Sequence, residues 1–381
     1  MKVLVIGGAG FIGSHTVDAL IKEGHDVRIL DNLQKPVHLN GKPDYIPKDA
    51  EFILGDVRNK RVMEYALRGV DAVFHFAAYQ DYLTDFSRFF NVNSRGTALL
   101  YEIIVEKNLP VKKIVVASSQ MVMGEGKYKC PAHGEFVPAA RSDQQLKCGQ
   151  WDHKCPSCGG EAEMLPSDEI IVSPPNQYAI SKYSQEMIAL NLGNRYKIPS
   201  TVLRYSIVQG PRQSFYNAYS GVCRIFSLHY LLKKQPTAYE DGHAIRDYIN
   251  INDVVEANLL VLKDPRTDYQ VYNVGGGKKY TVLKFGKIVA KIYKSDVLPK
   301  IPGEYRFGDT RHIFSDISKL KKLGWTPKVP IEKSILDYKK FLEEQTNIGK
   351  AIDYAERKMK EMNVVRKVQK NPQKRKTYDN Y

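Results

Sequence analysis

Tyr178 and Lys182 stand four residues apart, a spacing that puts a phenol and an ammonium on one face of a helix. A cation within ~4–6 Å favours the phenolate and typically lowers a phenol pKa by about 1–3 units from ~10. Such a tyrosine can take a proton from a hydroxyl near neutrality. A second chemical group precedes it. Cys130-Pro131-Ala132-His133 and Cys155-Pro156-Ser157-Cys158 form two short knuckles that offer three thiols and one imidazole. That set suits tetrahedral zinc, and four protein ligands leave no open position for water, so a structural site is expected. Cys148 and His153 are possible substitute ligands.

The third feature is Gly7-Gly8-Ala9-Gly10-Phe11-Ile12-Gly13, set between the apolar run Val3-Leu4-Val5-Ile6 and an amphipathic segment ending near Lys22. Strand, glycine turn and helix in that order make a phosphate site. Gly7 allows the tight turn, Gly10 admits the pyrophosphate, and Gly13 lets the helix pack on the strand. The amides of Phe11 and Ile12 then lie at the helix N-terminus, where the dipole favours an anion by about 0.3–1 kcal/mol. A second apolar run, Asp26-Val27-Arg28-Ile29-Leu30, ends in Asp31, where a carboxylate would accept from an adenosine ribose and repel a 2′-phosphate. NAD is therefore expected over NADP.

The elements that position these groups follow from periodicity. Glu51-Phe52-Ile53-Leu54, Asp71 to Ala78 and Lys113-Ile114-Val115-Val116-Ala117 read as further strands, with helices around Arg61 to Arg68 and from Asn91 onward. Strands and helices alternating in this way make a doubly wound parallel α/β sheet, with ligands at the carboxyl ends of the strands. After Arg204 the pattern changes to longer loops rich in Tyr, Asn, Gln and Arg, a second lobe suited to a polar ligand. The helix starting near Asp253 is expected to return to the first lobe, so the two are interleaved.

The 381 residues are 43% hydrophobic, enough for a large core and two to three domains. No apolar run approaches the ~20 residues of a membrane span, and the chain opens directly on a core strand with no export signal. Crowded cysteines that read as a metal cluster suit a reducing cytoplasm. The net charge is +15, of which a surplus of six lies in 350–381, with ten Lys/Arg against four Asp/Glu. The rest is spread over the body as a mostly solvated surface, with some expected to face an anionic ligand.

Together with the glycine turn, Asp31 and the strand-end Ser119, the Tyr178 and Lys182 pair resembles the extended short-chain dehydrogenase/reductase family, especially its nucleotide-sugar epimerases and dehydratases. Further matches are Leu203-Arg204-Tyr205, Gly210-Pro211-Arg212-Gln213, Arg246-Asp247-Tyr248-Ile249, Tyr272-Asn273-Val274-Gly275 and Leu323-Gly324-Trp325. The resemblance runs from Met1 to about Leu342. It implies a Rossmann-type domain over 1–204, a smaller substrate-binding lobe over 205–342 and a C-terminal segment, 343–381, outside the match. Ser119, Tyr178 and Lys182 become the implied catalytic set. Asn32, Asp56, Val57, Ala77, Ala78 and Asn93 are implied along the cofactor. Ser119, Gln120 and Asn217 would meet the sugar or first phosphate, Arg246 and Arg306 the diphosphate, and Asp309 the nucleoside ribose. Ser119 and Tyr178 are 59 positions apart, far more than the family needs, so a zinc-knuckle insert is expected over about 127–165.

The implied chemistry is transient oxidation at the sugar C4 with NAD. Related dehydratases and decarboxylases carry an acidic residue immediately after the strand-end Ser or Thr, whereas Gln120 and Met121 stand here, and neither exchanges protons in that role. Epimerisation is thus the leading expectation. Ala78 to Leu83, Tyr205 to Gly210 and the knuckles look most like a dTDP-L-rhamnose 4-epimerase branch. A UDP-hexose 4-epimerase or an NAD(P)H-dependent ketosugar reductase is the alternative, and an idle NAD-binding scaffold contacting nucleic acid is the non-enzymatic one. The spacing of Ile348, Ile352, Ala355, Met359 and Met362 predicts one amphipathic helix with a basic polar end from Val365. A docked helix or a homodimer contact is expected there, and nucleic-acid binding is not.

Overall fold

The computed structural model describes residues 1–81, 83–216, 221–346, 348–349, 357, 361 and 363–369. Fifteen strands, β1 to β15, occur in chain order among them. The main sheet holds β1 (Lys2–Ile6), β2 (Asp26–Asp31), β3 (Glu51–Leu54), β4 (Ala72–His75), β5 (Lys113–Ser119), β9 (Ser200–Tyr205) and β12 (Gln270–Val274). Its order is β12-β9-β5-β4-β1-β2-β3, with every neighbouring pair parallel. The chain starts near the middle of the sheet, winds to one edge and then to the other. That reversal opens a crevice at the carboxyl ends of β1 and β4.

Alternation along the strands divides the core between two faces. Val3 and Val5 face the helices Phe11–Lys22 and Ile251–Lys263, while Leu4 and Ile6 face Gly96–Glu106 and Gln177–Tyr196. The helix Ile251–Lys263 thus returns to the first lobe. Asn258 donates to Thr16 and accepts from the Tyr205 hydroxyl, and Trp325 donates to the Asp253 carbonyl. The second lobe is built on β10 (Ile207–Gln209), β11 (Ile245–Asn250) and β13 (Lys279–Thr281), covered by Val222–Leu231, Val282–Ile292 and Ile331–Glu343. Phe226, Tyr248, Phe285 and Tyr338 fill its core.

Between β5 and the helix Gln177–Tyr196 the chain leaves the sheet. There β6 (Lys127–Cys130), β7 (Gly134–Phe136) and β8 (Glu163–Leu165) make a small antiparallel sheet in the order β7-β6-β8. The way back is clamped from below. Arg204 on β9 forms a forked ion pair with Glu186 at 2.8 and 2.7 Å and donates to the Glu169 and Ile171 carbonyls.

Three local expectations are corrected. The fourth strand ends at His75, because the Phe76 and Ala77 amides both donate to the Ile6 carbonyl and turn the chain across the end of β1. The following helix begins at Phe86, and Asn93 lies inside a π-helical stretch, Phe90–Arg95. That wider turn lets Asn93 bond both main-chain groups of Tyr79 and the Ser181 hydroxyl. Finally, within the polar, basic end expected from Val365, Val365–Lys367 forms a strand, β15, antiparallel to β14 (Glu304–Arg306). Pairing satisfies the exposed edge of β14, and Arg366 anchors it on Asp143 at 2.7 Å. The helix expected over 348–362 lies almost wholly outside the described residues.

Candidate active site

The glycine turn closes tightly over the ends of β1 and β4. Gly7 has φ 81°, and a Cβ there would lie 2.6 Å from the Ala77 amide nitrogen, while one at Gly13 would lie 2.1 Å from the Gly7 carbonyl oxygen. No side chain caps the helix at Gly10, so its first amides are left for a ligand. Asp31 ends β2 with its carboxylate accepting from the Ala9 amide at 3.0 Å and the Leu33 amide at 2.9 Å. It therefore shapes the turn as well as facing it. Arg212 pairs with Asp18 and stacks on Tyr45, whose hydroxyl donates to the Ala9 carbonyl, so the second lobe latches onto the same turn.

The remaining expected cofactor residues gather around this crevice. Val57 is buried, Ala77 half-buried and Ala78 exposed. Asp56 is held by Arg58 through a fork at 2.8 Å, and by the Asn32 amide at 3.0 Å. Those bonds keep its carboxyl far below the usual range. Sequence reading missed Arg58, two residues away, as the partner of Asp56.

Ser119 ends β5, and its hydroxyl accepts from the Met121 amide. Tyr178 and Lys182 lie on the helix Gln177–Tyr196, whose N-terminus is capped by Asn176. The Ser119 hydroxyl lies close enough to the Tyr178 phenol to act on its proton, so residues 59 positions apart in sequence meet at one point. The electrostatics differ from the sequence expectation. Burial pushes the Tyr178 phenol up to about 12, with Ser119 lowering it only in part. Burial also brings Lys182 down to about 7, with Glu186 opposing that fall. The physical reason is that the ammonium is supported by neutral acceptors: the Ala117 carbonyl at 2.6 Å and Gln185 Oε1 at 2.8 Å. Glu186, the anion one residue further on, is engaged by Arg204.

Sequence reading missed this polar core. Gln185 holds Lys182 and passes a hydrogen bond to Thr97, which donates to the Asn93 carbonyl. Its signal was its place three residues after Lys182 on the same face. His75, at the end of β4, is wholly buried, and neither ring nitrogen has a partner among the described residues. Burial and the Lys182 charge bring it down to about 3, a neutral imidazole beneath the site. Gln120 is also buried.

The lobe residues are arranged unevenly. Arg246 donates to the Ile245, Thr310 and Arg311 carbonyls at 2.9 Å each, fixing the loop after β14. Arg306 and Asp309 face each other, with Nε–Oδ2 at 2.7 Å, beneath the Tyr239 ring. Asn217 lies outside the described residues. In the insert, the donor atoms of Cys130, His133, Cys155 and Cys158 all fall within 4.8 Å of one another. Neither proposed substitute joins them: Cys148 is exposed beside Gln144, and His153 packs on Glu125 and Tyr128.

The sign of the Lys182 effect is testable. Its folded pKa of about 7 lies below the unfolded ~10.4, so its contribution to stability is full above the unfolded value and is lost as pH falls toward 7. In NAD-free protein, Lys182→Met should therefore cost less stability, or gain more, at pH 6.5 than at pH 9.5. Urea denaturation at both pH values checks this, and a pH-independent difference would refute it.

Comparison with known proteins fits this geometry. The family described as "NAD dependent epimerase/dehydratase family" matches residues 3–143 and 154–275, leaving out part of the insert. A dTDP-L-rhamnose 4-epimerase from Burkholderia thailandensis is 33% identical over 344 residues, covering 88% of this chain and 93% of that protein. The UDP-glucose 4-epimerase of Thermotoga maritima, solved with UDP-glucose, superposes with TM-score 0.74 at 31% identity, over 90% of this chain and 99% of its own. The Thermus thermophilus UDP-glucose 4-epimerase, solved with NAD, gives 0.70 at 29%, over 91% and 100%. With the glycine turn, the strand-end serine and the Tyr178 helix in one crevice, this chain belongs to the NAD-dependent epimerase/dehydratase family.

Proposed function

We infer that the chain is an NAD-dependent nucleotide-sugar 4-epimerase. The observation that carries this reading is the meeting of Ser119 and Tyr178 beside the glycine turn, over a buried Lys182. When bound, NAD supplies a reversible hydride acceptor at the sugar C4 and a positive charge beside the phenol. Gly7, Gly10, Phe11, Ile12 and Gly13 would hold its pyrophosphate, and Asp31, Asn32, Asp56 and Val57 its adenosine side. Ala77, Ala78 and Asn93 would line the rest of its path.

Tyr178 takes the proton of the C4 hydroxyl, and the Ser119 hydroxyl donates to the oxygen as it becomes a carbonyl. A phenol raised by burial needs added positive charge before it can act as a base near neutrality, so binding and activation are coupled. Lys182, held by Gln185 and Ala117, presents its amine from below. Gln120 and Met121 provide no second acid, which favours return of hydride to C4 over elimination. Arg246 and Arg306 are assigned to the diphosphate and Asp309 to the nucleoside ribose, with Arg246 also fixing their loop, and Gln120 and Asn217 are assigned to the sugar side. Ile207 is half-buried against the core of the second lobe, where this family usually carries a polar sugar contact. An apolar wall suits the C6 methyl of a 6-deoxyhexose, so dTDP-L-rhamnose is the substrate we favour over a UDP-hexose.

Zinc fits the insert. Bonds of ~2.3 Å to sulfur and ~2.0–2.1 Å to nitrogen at tetrahedral angles require ligand edges of about 3.8 Å for S···S and about 3.6 Å for S···N. Cys130 to Cys158 is 3.8 Å, and His133 Nδ1 is 3.7 Å from Cys130 and 3.6 Å from Cys155. A second copy of the chain would cover the exposed Ile180 and Met187, seven residues apart on the outer face of the Tyr178 helix. Among the described residues no helix is long and apolar enough to cross a membrane.

Tyr178→Phe should lower C4 interconversion by at least about 10²-fold, with NAD still bound, because the ring is kept and only the proton acceptor is lost. Substrate deuterated at C4 should yield product labelled at C4 by NMR. Label at C6 would indicate a dehydratase, and consumption of added NADH a reductase. Elemental analysis of fresh protein should give one zinc per chain, and its loss in Cys155→Ser/Cys158→Ser would tie it to the knuckles. No metal in the parent protein would dismiss the site. In sedimentation, Met187→Glu should shift the protein from dimer to monomer; an unchanged profile would move the interface elsewhere.

A further inference from the structure

Arg141 lies in the insert, yet its guanidinium joins the insert directly to the main chain of Asp309. The side chain is 1% exposed. Its Nη2 donates to the Asp309 carbonyl at 2.8 Å and reaches Glu240 at 2.8 Å, while Nη1 donates to the Trp151 carbonyl at 3.1 Å. Its Nε lies 3.5 Å from Glu125, just beyond β5. One planar fork therefore ties together the insert, the end of the catalytic strand and the second lobe.

The loop it holds is fixed at its other end by a second buried arginine. The Arg311 amide donates to Glu125 at 2.6 Å, and its guanidinium bonds Asp152 of the insert and Glu240 and Asp241 of the lobe. Between these anchors stands Asp309, whose carboxylate orients Arg306. The order of contact is Arg141 to the Asp309 main chain, then the Asp309 side chain to Arg306.

We propose that Arg141 is a positioning residue for the nucleoside-diphosphate end of the substrate site, through which the folded insert sets the shape of the 306–312 loop. This rests on the reading that Arg306 and Asp309 grip the nucleotide. The plainer role for Arg141 is to neutralise Glu125 and Glu240. A lysine would serve that role, since it keeps the charge. It would not serve positioning, because one ammonium on a flexible stem lacks the planar fork that reaches Trp151, Asp309 and Glu240 together.

The test uses the full-length, NAD-loaded, metal-loaded protein, titrated calorimetrically with dTDP and with UDP. Arg306→Met and Arg141→Lys should each weaken the tighter-binding diphosphate by about tenfold, near 1.4 kcal/mol. In Arg141→Lys, bound NAD should stay at the parent level and KM should rise far more than kcat falls. Amide exchange over 306–312 should also quicken in Arg141→Lys. If Arg306→Met weakens binding and Arg141→Lys stays within about twofold of the parent, the positioning role is overturned while the nucleotide reading stands. If neither variant weakens binding, both fall together. Should Arg141→Lys fail to fold, Glu240→Gln keeps the side chain's shape and removes the charge that Arg141 Nη2 meets at 2.8 Å. A measurable loss of diphosphate affinity there supports the proposal, and none overturns it.

Discussion

The forked pair between Glu186 and Arg204 is the constraint on which the site depends. Both side chains are 2% exposed, so neither charge is relieved by water. Two buried charges are tolerable only with good geometry and further hydrogen bonds, and here both are present. Glu186 also accepts from Ser118, at the end of β5, and Arg204 also holds the Glu169 and Ile171 carbonyls. The helix carrying Tyr178 and Lys182 is thereby fixed over β5 and β9, together with the segment returning from the insert. Removing either partner would strand a charge, typically a loss of about 3–5 kcal/mol, and would free the helix that meets Ser119.

The same pair explains the unusual state of Lys182. An aspartate or glutamate four residues along a helix normally supports a lysine, but Glu186 spends its lone pairs on Arg204 and Ser118. The buried amine then relies on Ala117 and Gln185, and the chain of bonds continues through Thr97 to Asn93. With His75 neutral below, the floor of the crevice is polar but nearly uncharged. Such a floor responds strongly to a cation placed above it, because little water is present to screen the field.

The insert presents a different physical problem. A loop of this length has little apolar core of its own, with Tyr128, Met164 and Phe314 forming a small satellite cluster. Three thiols and an imidazole converge at one end, and a buried charge cluster ties the other to the body. Arg366, Tyr305 and Asp143 add a third tie, joining β14 and β15 to the short helix Asp143–Lys147. Arg306 on β14 is thus bordered by the insert.

What the sequence determined by itself was local. The glycine turn, the apolar strands, Asp31, the Tyr178 and Lys182 spacing and the Cys3His set all depend on residue type and short periodicity, and the parallel sheet follows from the alternation of strands and helices. Tertiary structure decided which polar groups became partners. Asp56 meets Arg58, Arg246 meets the carbonyls of the 310–311 backbone, and Glu186 meets Arg204, none of them partners that residue type or spacing announced. The cluster joining Glu125, Arg141, Glu240 and Arg311 spans residues 186 positions apart at its widest, and β15 was legible only once the edge of β14 needed covering. The reason is physical: a strand or a glycine turn follows from short-range sterics, whereas a buried charge takes whichever partner the completed fold brings within reach.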